Sequence, residues 1–368
     1  MATMILKITE QCNSNCAYCD VVTNKPRAGH MPLALLETVF QRLNEFLEAD
    51  PRTEMNVIWH GGEPLLVGPD YFRAAHAFQQ KHCRGTQGRI RHGIQSNLTL
   101  FSDAFAEPFR ALGIDQIGTS FDPEPGVRGP GKPSNTDLYN RNFMRGDVTA
   151  RRHGLGAGII YVVTKRSLER PLEVFYYLTN LRLDGGFNMN PVLLYDSRRD
   201  DLAITPHEYV EFLGALFPVW WKHQARYPNV DPFYSLTSII RDRELRLGCS
   251  DSGRCAYGHV NVDPAGETSQ CGRSSDWGLL SYGNIRDRSL ADILRDTQRD
   301  VLMERNNILR NGECGGCRFW SICHGGCPLD SWPKHGDLLH RSEWGCSRKA
   351  FVERYYEPIT GLRFVPHE

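Results

Sequence analysis

Short apolar runs alternate with stretches of helical periodicity from residue 4 to about residue 195. Six of these runs predict β-strands, centred on residues 5–8, 55–59, 91–95, 116–120, 158–163 and 187–194. Between the first two, Pro32 opens a segment whose apolar residues recur at helical spacing: Leu36, Val39, Phe40, Leu43 and Leu47. Further helices are expected after Pro69, Ser102, Asp137 and Ser167. The pattern predicts repeated strand-helix units.

The composition and the hydrophobic pattern of the chain change after this region. Thr205 to Glu208 form a capping box, which predicts a helix that runs toward Trp220 and Trp221. Beyond about Asp231 the long apolar runs become fewer, and glycine and cysteine become more frequent. We therefore predict one domain over residues 1–230, ending in a bridging helix, and a second domain over residues 231–368.

Six strand-helix units are compatible with a doubly wound sheet or with a partial parallel barrel. In both architectures the chemistry gathers at the carboxyl ends of the strands. Four polar or cysteine-containing stretches follow the first four predicted strands, beginning at Cys12, Gly61, Gln95 and Ser120. These stretches are expected to meet at one edge of the sheet.

The charge of the chain gives no reason to expect a nucleic-acid or membrane partner. The 368 residues contain 43 basic and 43 acidic side chains, and no apolar run approaches the roughly 20 residues of a membrane-spanning helix. The amino terminus lacks a basic segment followed by an apolar one, as an export signal would have. We expect a cytoplasmic protein whose twelve clustered cysteines bind metal or do redox work.

Three of these cysteines, Cys12, Cys16 and Cys19, lie on one short loop after the first strand. Three thiolates can ligate three irons of a cubane cluster and leave the fourth iron without a protein ligand. That iron can hold a small molecule. An electron carrier gains nothing from such an exposed iron, so the spacing favours an enzyme over an electron carrier or a metal-stabilised scaffold.

The Cys12, Cys16 and Cys19 spacing, with Tyr18 before the last cysteine, resembles the radical S-adenosylmethionine (radical SAM) superfamily. The resemblance implies a partial parallel (β/α)6 TIM barrel, a [4Fe-4S] cluster that chelates S-adenosylmethionine, and a 5′-deoxyadenosyl radical that abstracts a substrate hydrogen. By the same resemblance, six residues contact S-adenosylmethionine: Gly61, Gly62, Glu63, Asn97, Ser120 and Arg128. The glycines would let the backbone approach the methionine ammonium closely, and the Glu63 carboxylate would neutralise the charge of that ammonium.

The cysteines after residue 248 resemble the auxiliary-cluster extension called SPASM. By this similarity one auxiliary [4Fe-4S] cluster is held by Cys249, Cys255, Cys271 and Cys327, and the other by Cys314, Cys317, Cys323 and Cys346. The prediction is then three [4Fe-4S] clusters in all. Two structural zinc sites are the alternative, since four thiolates also suit tetrahedral zinc. Fully ligated auxiliary clusters would transfer electrons, with flavodoxin or ferredoxin as donor.

The resemblance implies that a hydrogen is abstracted from carbon, and it favours a peptide substrate over a small metabolite such as a sugar or cyclitol. The expected reaction is a crosslink or oxidation of the kind made on ribosomal (RiPP) peptides. In sulfatase maturases, the residue after the cysteine that matches Cys271 is an aspartate that acts as a base. This chain has Gly272 at that position, and Asp276 is nearby but out of register. Formylglycine formation therefore ranks lower. Leader recognition would fall to a separate protein or to the barrel surface.

Overall fold

A computed structural model describes residues 2–19, 29–183, 185–194, 199–245 and 247–367. The strands are β1 Ala2–Thr9, β2 Met55–Gly61, β3 Ile90–Ser96, β4 Gln116–Ser120, β5 Gly156–Val163, β6 Phe187–Pro191, β7 Val230–Asp231, β8 His259–Val262, β9 Glu267–Ser269 and β10 Ser281–Asn284. The helices are α1 Leu33–Ala49, α2 Pro69–His82, α3 Ala106–Leu112, α4 Thr136–Arg152, α5 Pro171–Asn180, α6 Pro206–Lys222, α7 Phe233–Arg241, α8 Gly272–Asp276, α9 Leu290–Leu294, α10 Asp300–Asn311, α11 Trp320–Cys323, α12 Trp332–His335, α13 Gly345–Phe351 and α14 Glu357–Thr360. Among the described residues, no helix combines the length and apolar character needed to cross a membrane.

The chain divides into two compact units. The first contains Met1–Gly158 and Ala256–Arg299, and the second contains Ile159–Cys255 and Asp300–Glu368. In the first unit the strands are ordered β10-β9-β8-β1-β2-β3-β4. The pairs from β8 through β1 to β4 are parallel, whereas β9 and β10 are antiparallel to their neighbours.

The two faces of the first sheet differ in character. Met4, Leu6 and Ile8 of β1 are buried, and on the same face Trp59 of β2 lies 5.4 Å from the ring of Phe72 in α2. The ring of Phe72 in turn contacts Phe109 of α3 at 5.2 Å. The helices therefore cover this face with an apolar layer, as the alternation of apolar residues predicts.

Residues of opposite parity line the other face. Ile5 pairs with Ile58 and Lys7 pairs with His60 in the parallel register of β1 and β2. Ile5, Ile58, His60 and Gln95 are half-buried, whereas Lys7 is buried. This face mixes apolar, amide, imidazole and ammonium groups, so it is chemically suited to face a ligand.

The second unit pairs β5, β6 and β7 in parallel and has an aromatic core. Phe217 of α6 lies 5.4 Å from Phe233 of α7 and 5.3 Å from Phe351 of α13. The capping box at the start of α6 is present: the Thr205 hydroxyl accepts from the Glu208 N–H, and the Glu208 carboxylate accepts from the Thr205 N–H.

The six predicted strands all occur, with ends shifted by at most three residues. The pattern did not indicate β8 to β10. The division into domains at residue 230 stays a prediction, and the two compact units have other bounds. The physical reason is that β8 pairs with β1 in parallel, which places residues 256–299 with the first unit. Because β8 has only four residues, its periodicity gives little signal.

Replacing Thr205 with alanine should destabilise the first turn of α6 by about 1 kcal/mol, because the capping hydroxyl is lost. Hydrogen-deuterium exchange of a peptide covering residues 206–213 would measure the change as faster exchange. The control is Thr179→Ala, since the Thr179 hydroxyl caps no helix and donates to the Phe175 and Tyr176 carbonyls within α5. Equal exchange in both variants would contradict the capping role.

Candidate functional site

The three amino-terminal cysteines lie on a loop that is held by backbone hydrogen bonds. The Asn15 N–H donates to the Gly129 carbonyl at 2.8 Å, and the Ala17 N–H donates to the Val127 carbonyl at 2.9 Å. These two hydrogen bonds therefore join the loop to the segment that follows β4. A further bond, from the Cys19 N–H to the Cys16 carbonyl at 3.2 Å, closes its last turn.

These thiols do not ionise easily in the protein alone. Burial raises the pKa of Cys12 to about 12, although the Ser14 N–H donates to its sulfur at 3.4 Å. The Glu63 carboxylate and the other two cysteines raise it further. Burial also raises the pKa of Cys16. The Cys12 and Cys16 thiols need a positive metal centre to become thiolates, so this donor set fits an iron-sulfur cluster.

Gly61 and Gly62 are required by close packing at the end of β2. A Cβ on Gly61 would lie 1.9 Å from the Thr9 carbonyl oxygen, and one on Gly62 would lie 2.3 Å from the Gln11 carbonyl oxygen. The Gly62 N–H donates to Thr9 O and the Glu63 N–H donates to Gln11 O, both at 2.9 Å. The missing side chains thus bring the residues just before Cys12 against the end of β2, a reason that the sequence did not reveal.

Glu63 is fully buried and joins two of the loops. Its carboxylate accepts hydrogen bonds from the Asn97 N–H at 2.7 Å, the Ser96 hydroxyl at 2.8 Å and the Leu65 N–H at 3.0 Å. Burial raises the pKa of Glu63 to about 7 despite these donors. The side chain therefore fixes the ends of β2 and β3 relative to each other.

Asn97 and Ser120 lie at the same edge of the sheet. The Asn97 side-chain amide donates to Asn13 Oδ1 at 2.9 Å and lies 3.9 Å from Cys12 Sγ. The Ser120 hydroxyl accepts from the Gln95 amide at 3.2 Å. The structure thus assembles the predicted residues that follow β1, β2, β3 and β4 at one edge.

Arg128 is nearly buried and lies beside Cys16. Its guanidinium forms an ion pair with Asp122, donates to the Tyr18 hydroxyl, and lies 3.5 Å from Cys16 Sγ. Its positive charge lowers the pKa of Cys16, against the larger effect of burial. Arg128 therefore supplies positive charge to the cysteine loop.

Sequence reasoning gave no role to Lys7, which the structure places in a buried ion pair. Lys7 Nζ lies 2.6 Å from Asp276 Oδ1 and 3.1 Å from the Gly272 carbonyl oxygen, and the two side chains are 1% and 7% exposed. A Cβ on Gly272 would lie 3.3 Å from Lys7 Cε. The sequence feature that could have indicated this ion pair is a lysine within an otherwise apolar strand. The pair ties α8, which begins after Cys271, to β1.

In the second unit, the four cysteines predicted for the outer auxiliary cluster line one hollow of about 350 Å³: Cys314, Cys317, Cys323 and Cys346. Phe319 and Trp320 line the same hollow, as expected of residues that shield a cluster. Arg341 Nη1 lies 2.6 Å from Cys346 Sγ. Four thiols that line one hollow suit a cubane cluster.

A second hollow of about 250 Å³ is lined by Cys249 and Cys255, together with Gly326 and Pro328 on either side of Cys327. In the described residues, no three Cys, His, Asp or Glu side chains are grouped around the position of a single metal ion. That finding concerns single ions, whereas a cubane spreads its ligands over four irons.

The remaining candidates are a single cysteine outside the clusters and a group of polar residues that could form the rim of the site. Cys83 is a buried thiol, as expected, with its sulfur 3.4 Å from the Phe40 carbonyl oxygen. Of the possible rim residues, Tyr257 is exposed and Arg199 pairs with Asp201. Tyr195, Asp196 and Arg198 lie outside the described residues.

Comparisons with known proteins agree with this geometry. Residues 6–122 match the radical SAM superfamily. Over 375 residues the chain is 23% identical to the cysteine-type anaerobic sulfatase-maturating enzyme of Clostridium novyi, an alignment that covers 98% of this chain and 96% of that protein.

Two solved structures share the fold. An anaerobic sulfatase-maturating enzyme, native anSMEcpe with bound AdoMet and Cp18Cys peptide, matches with a TM-score of 0.80 at 20% identity, covering 98% of each chain. Streptococcus suis SuiB bound to the precursor peptide SuiA matches with a TM-score of 0.60 at 15% identity, covering 94% of this chain and 75% of SuiB. At these identities the likeness concerns the fold.

Replacing Gly62 with alanine should displace the Cys12 loop, because the added Cβ meets the Gln11 carbonyl. A misplacement of about 1 Å can cost roughly 100-fold in rate, so we expect a loss of that order in 5′-deoxyadenosine formation. The assay follows anaerobic reconstitution with S-adenosylmethionine and dithionite. Gly88→Ala is the control, since nothing lies within 4 Å of its Cβ position. A fully active Gly62→Ala protein would show that this close approach is dispensable.

Proposed function

We propose that this chain, which belongs to the radical SAM superfamily, abstracts a hydrogen atom from a carbon of a peptide and so modifies that peptide after translation. The observation that carries the radical chemistry is the loop of Cys12, Cys16 and Cys19, held at the carboxyl edge of β1 to β4. The full-length likeness to a sulfatase-maturating enzyme supports a peptide substrate.

The proposed architecture is a partial (β/α)6 barrel with a SPASM domain and three [4Fe-4S] clusters. Cys12, Cys16 and Cys19 would hold the first cluster, which when bound with S-adenosylmethionine supplies one-electron cleavage of the sulfonium. Cys314, Cys317, Cys323 and Cys346 would hold the outer auxiliary cluster, and their common hollow supports this set. Cys249, Cys255, Cys271 and Cys327 would hold the inner one.

The chain's own residues would bind S-adenosylmethionine and shape the site. Gly61, Gly62 and Asn97 lie beside the Cys12 loop, and Ser120 offers a hydroxyl at the same edge. Glu63 positions this edge by fixing two loops, and its buried carboxylate suits a ligand ammonium. Arg128 would offset the negative charge of the Cys16 thiolate.

The substrate would face the mixed side of the first sheet, where Ile58, His60 and Gln95 are half-buried. Burial, with the charge of Lys7 as a smaller cause, lowers the pKa of His60 to about 4. Its imidazole is therefore neutral at pH 7. Because Nδ1 accepts a hydrogen bond from the Gly61 N–H at 2.7 Å, Nε2 carries the proton and can donate one. We place the enzyme in the cytoplasm, with flavodoxin or ferredoxin as electron donor and any leader recognition supplied by a separate protein.

Replacing Cys16 with alanine should abolish formation of 5′-deoxyadenosine, because the cluster loses one of three protein ligands. The matched control is Cys83→Ala, which removes a buried thiol that belongs to no cysteine set and should leave turnover unchanged.

A second experiment tests the class of substrate. Peptides encoded beside the gene, sulfatase-derived peptides, sugars and cyclitols are each incubated with the reconstituted protein and followed by mass spectrometry. A mass change in sugars alone would overturn the peptide proposal.

Formylglycine formation on sulfatases is a second candidate, and one feature of the structure favours it more than the sequence did. Gly272 and Asp276 are four residues apart on α8, so they share one face of the helix. Asp276 thus presents a carboxylate on the face where the sulfatase maturases carry theirs, one turn further along. Its ion pair with Lys7, at 2.6 Å, fixes the position of that carboxylate.

If Asp276 is that base, Asp276→Asn should lower kcat on a sulfatase-derived Cys or Ser peptide by about 100-fold or more. Cleavage of S-adenosylmethionine without peptide modification should continue. The control is Asp296→Asn, which breaks the ion pair with Arg288 and should leave kcat unchanged. Full activity of Asp276→Asn would assign the base elsewhere.

A further inference from the structure

Arg305 of α10 is a buried cation whose hydrogen bonds go to backbone carbonyls. The side chain is 3% exposed. The guanidinium donates to the carbonyls of Gly325 at 2.9 Å, His340 at 3.0 Å and His324 at 3.2 Å. In the described part of the chain, no carboxylate forms an ion pair with it. A buried guanidinium without a counter-ion is costly, so another negative group must offset its charge.

Four cysteine thiols act electrostatically on this guanidinium. Burial lowers the pKa of Arg305, whereas the thiols of four cysteines lie close enough to raise it: Cys327, Cys314, Cys255 and Cys323. Two of these belong to the proposed inner set and two to the outer set. The cation is therefore near both groups of ligands.

The two hollows place Arg305 between the cluster sites. Arg305 itself lines the hollow that contains Cys249 and Cys255. Gly325, whose carbonyl it binds, lines the hollow of the outer set. His324, Gly325 and Gly326 all have positive φ angles, of 48°, 76° and 74°. This left-handed turn connects Cys323, at one hollow, to Cys327, whose neighbours line the other.

Building on the cluster assignment above, we propose that Arg305 is the shared counter-charge of the two auxiliary clusters and raises the reduction potentials of both. A cluster with four thiolates is negatively charged and becomes more negative when it accepts an electron, so a fixed cation stabilises the reduced form. The step is a one-electron reduction from a substrate radical or a flavodoxin or ferredoxin. Arg305 stays protonated throughout.

The test is potentiometric EPR of the auxiliary clusters in full-length protein that carries Cys12, Cys16 and Cys19 as alanines, which removes the first cluster's signal. Arg305→Met should lower both auxiliary potentials. We expect the ratio of reduced to oxidised cluster at a fixed potential to fall about tenfold, which is 59 mV for one electron. Arg305→Lys, which keeps the charge, should leave the potentials near those of the parent.

Two arginines serve as controls. Arg341 contacts Cys346 of the outer set alone, so Arg341→Met should shift one cluster. Arg310 is exposed on the same helix, so Arg310→Met should shift neither. A loaded Arg305→Met protein with both potentials unchanged would overturn the inference. If that variant cannot be loaded, Arg305→Lys decides: unchanged potentials support the inference, and a tenfold fall in both contradicts it.

The outcome also separates this inference from the proposed function. A parent protein that lacks two auxiliary cluster signals would overturn the cluster assignment, and this inference with it. A parent that shows both signals, combined with an inert Arg305→Met substitution, would overturn the role of Arg305 alone.

Discussion

The close backbone approach between the ends of β1 and β2 is the constraint on which the site depends. Because Gly61 and Gly62 lack side chains, the carbonyls of Thr9 and Gln11 can accept hydrogen bonds from Gly62 and Glu63. This contact fixes the point at which the Cys12 loop leaves the sheet. Glu63 then extends the constraint to β3 through Ser96 and Asn97, so three strand ends are held in one arrangement before any cofactor binds.

Most of the first sheet could be predicted from sequence, because β1 to β4 show regular alternation and the helices between them have a regular apolar face. The spacing of Cys12, Cys16 and Cys19 is short and specific, whereas the two auxiliary cysteine sets stay predictions. The strand β8 could not, since it has four residues and its partner β1 is more than 250 positions away. Long-range pairing of this kind leaves no periodic signal in the local sequence, and it moved residues 256–299 into the first unit.

The site residues also differ in how much of their role could be predicted from sequence. The sequence identified which residues gather at the carboxyl edge, but not how their charges are arranged. Arg128 was expected to contact S-adenosylmethionine, and the structure adds its ion pair with Asp122 and its approach to Cys16. Lys7 looked like an interruption of an apolar strand, yet it forms a buried ion pair with Asp276, about 270 positions away. Such pairs depend on tertiary packing, which residue spacing does not encode.

A common electrostatic arrangement occurs in each of the two units. The chain has no net formal charge, but nearly buried or partly buried arginines lie beside its cysteines: Arg128 at Cys16, Arg341 at Cys346 and Arg305 near both auxiliary sets. Arginine suits this task because its charge persists after burial and its planar fork can bind several carbonyls at once. Iron-sulfur clusters have potentials that follow local charge and hydrogen bonding. The placement of these cations would give the protein a means of setting the potential of each proposed cluster, and Arg305 would act on both auxiliary clusters.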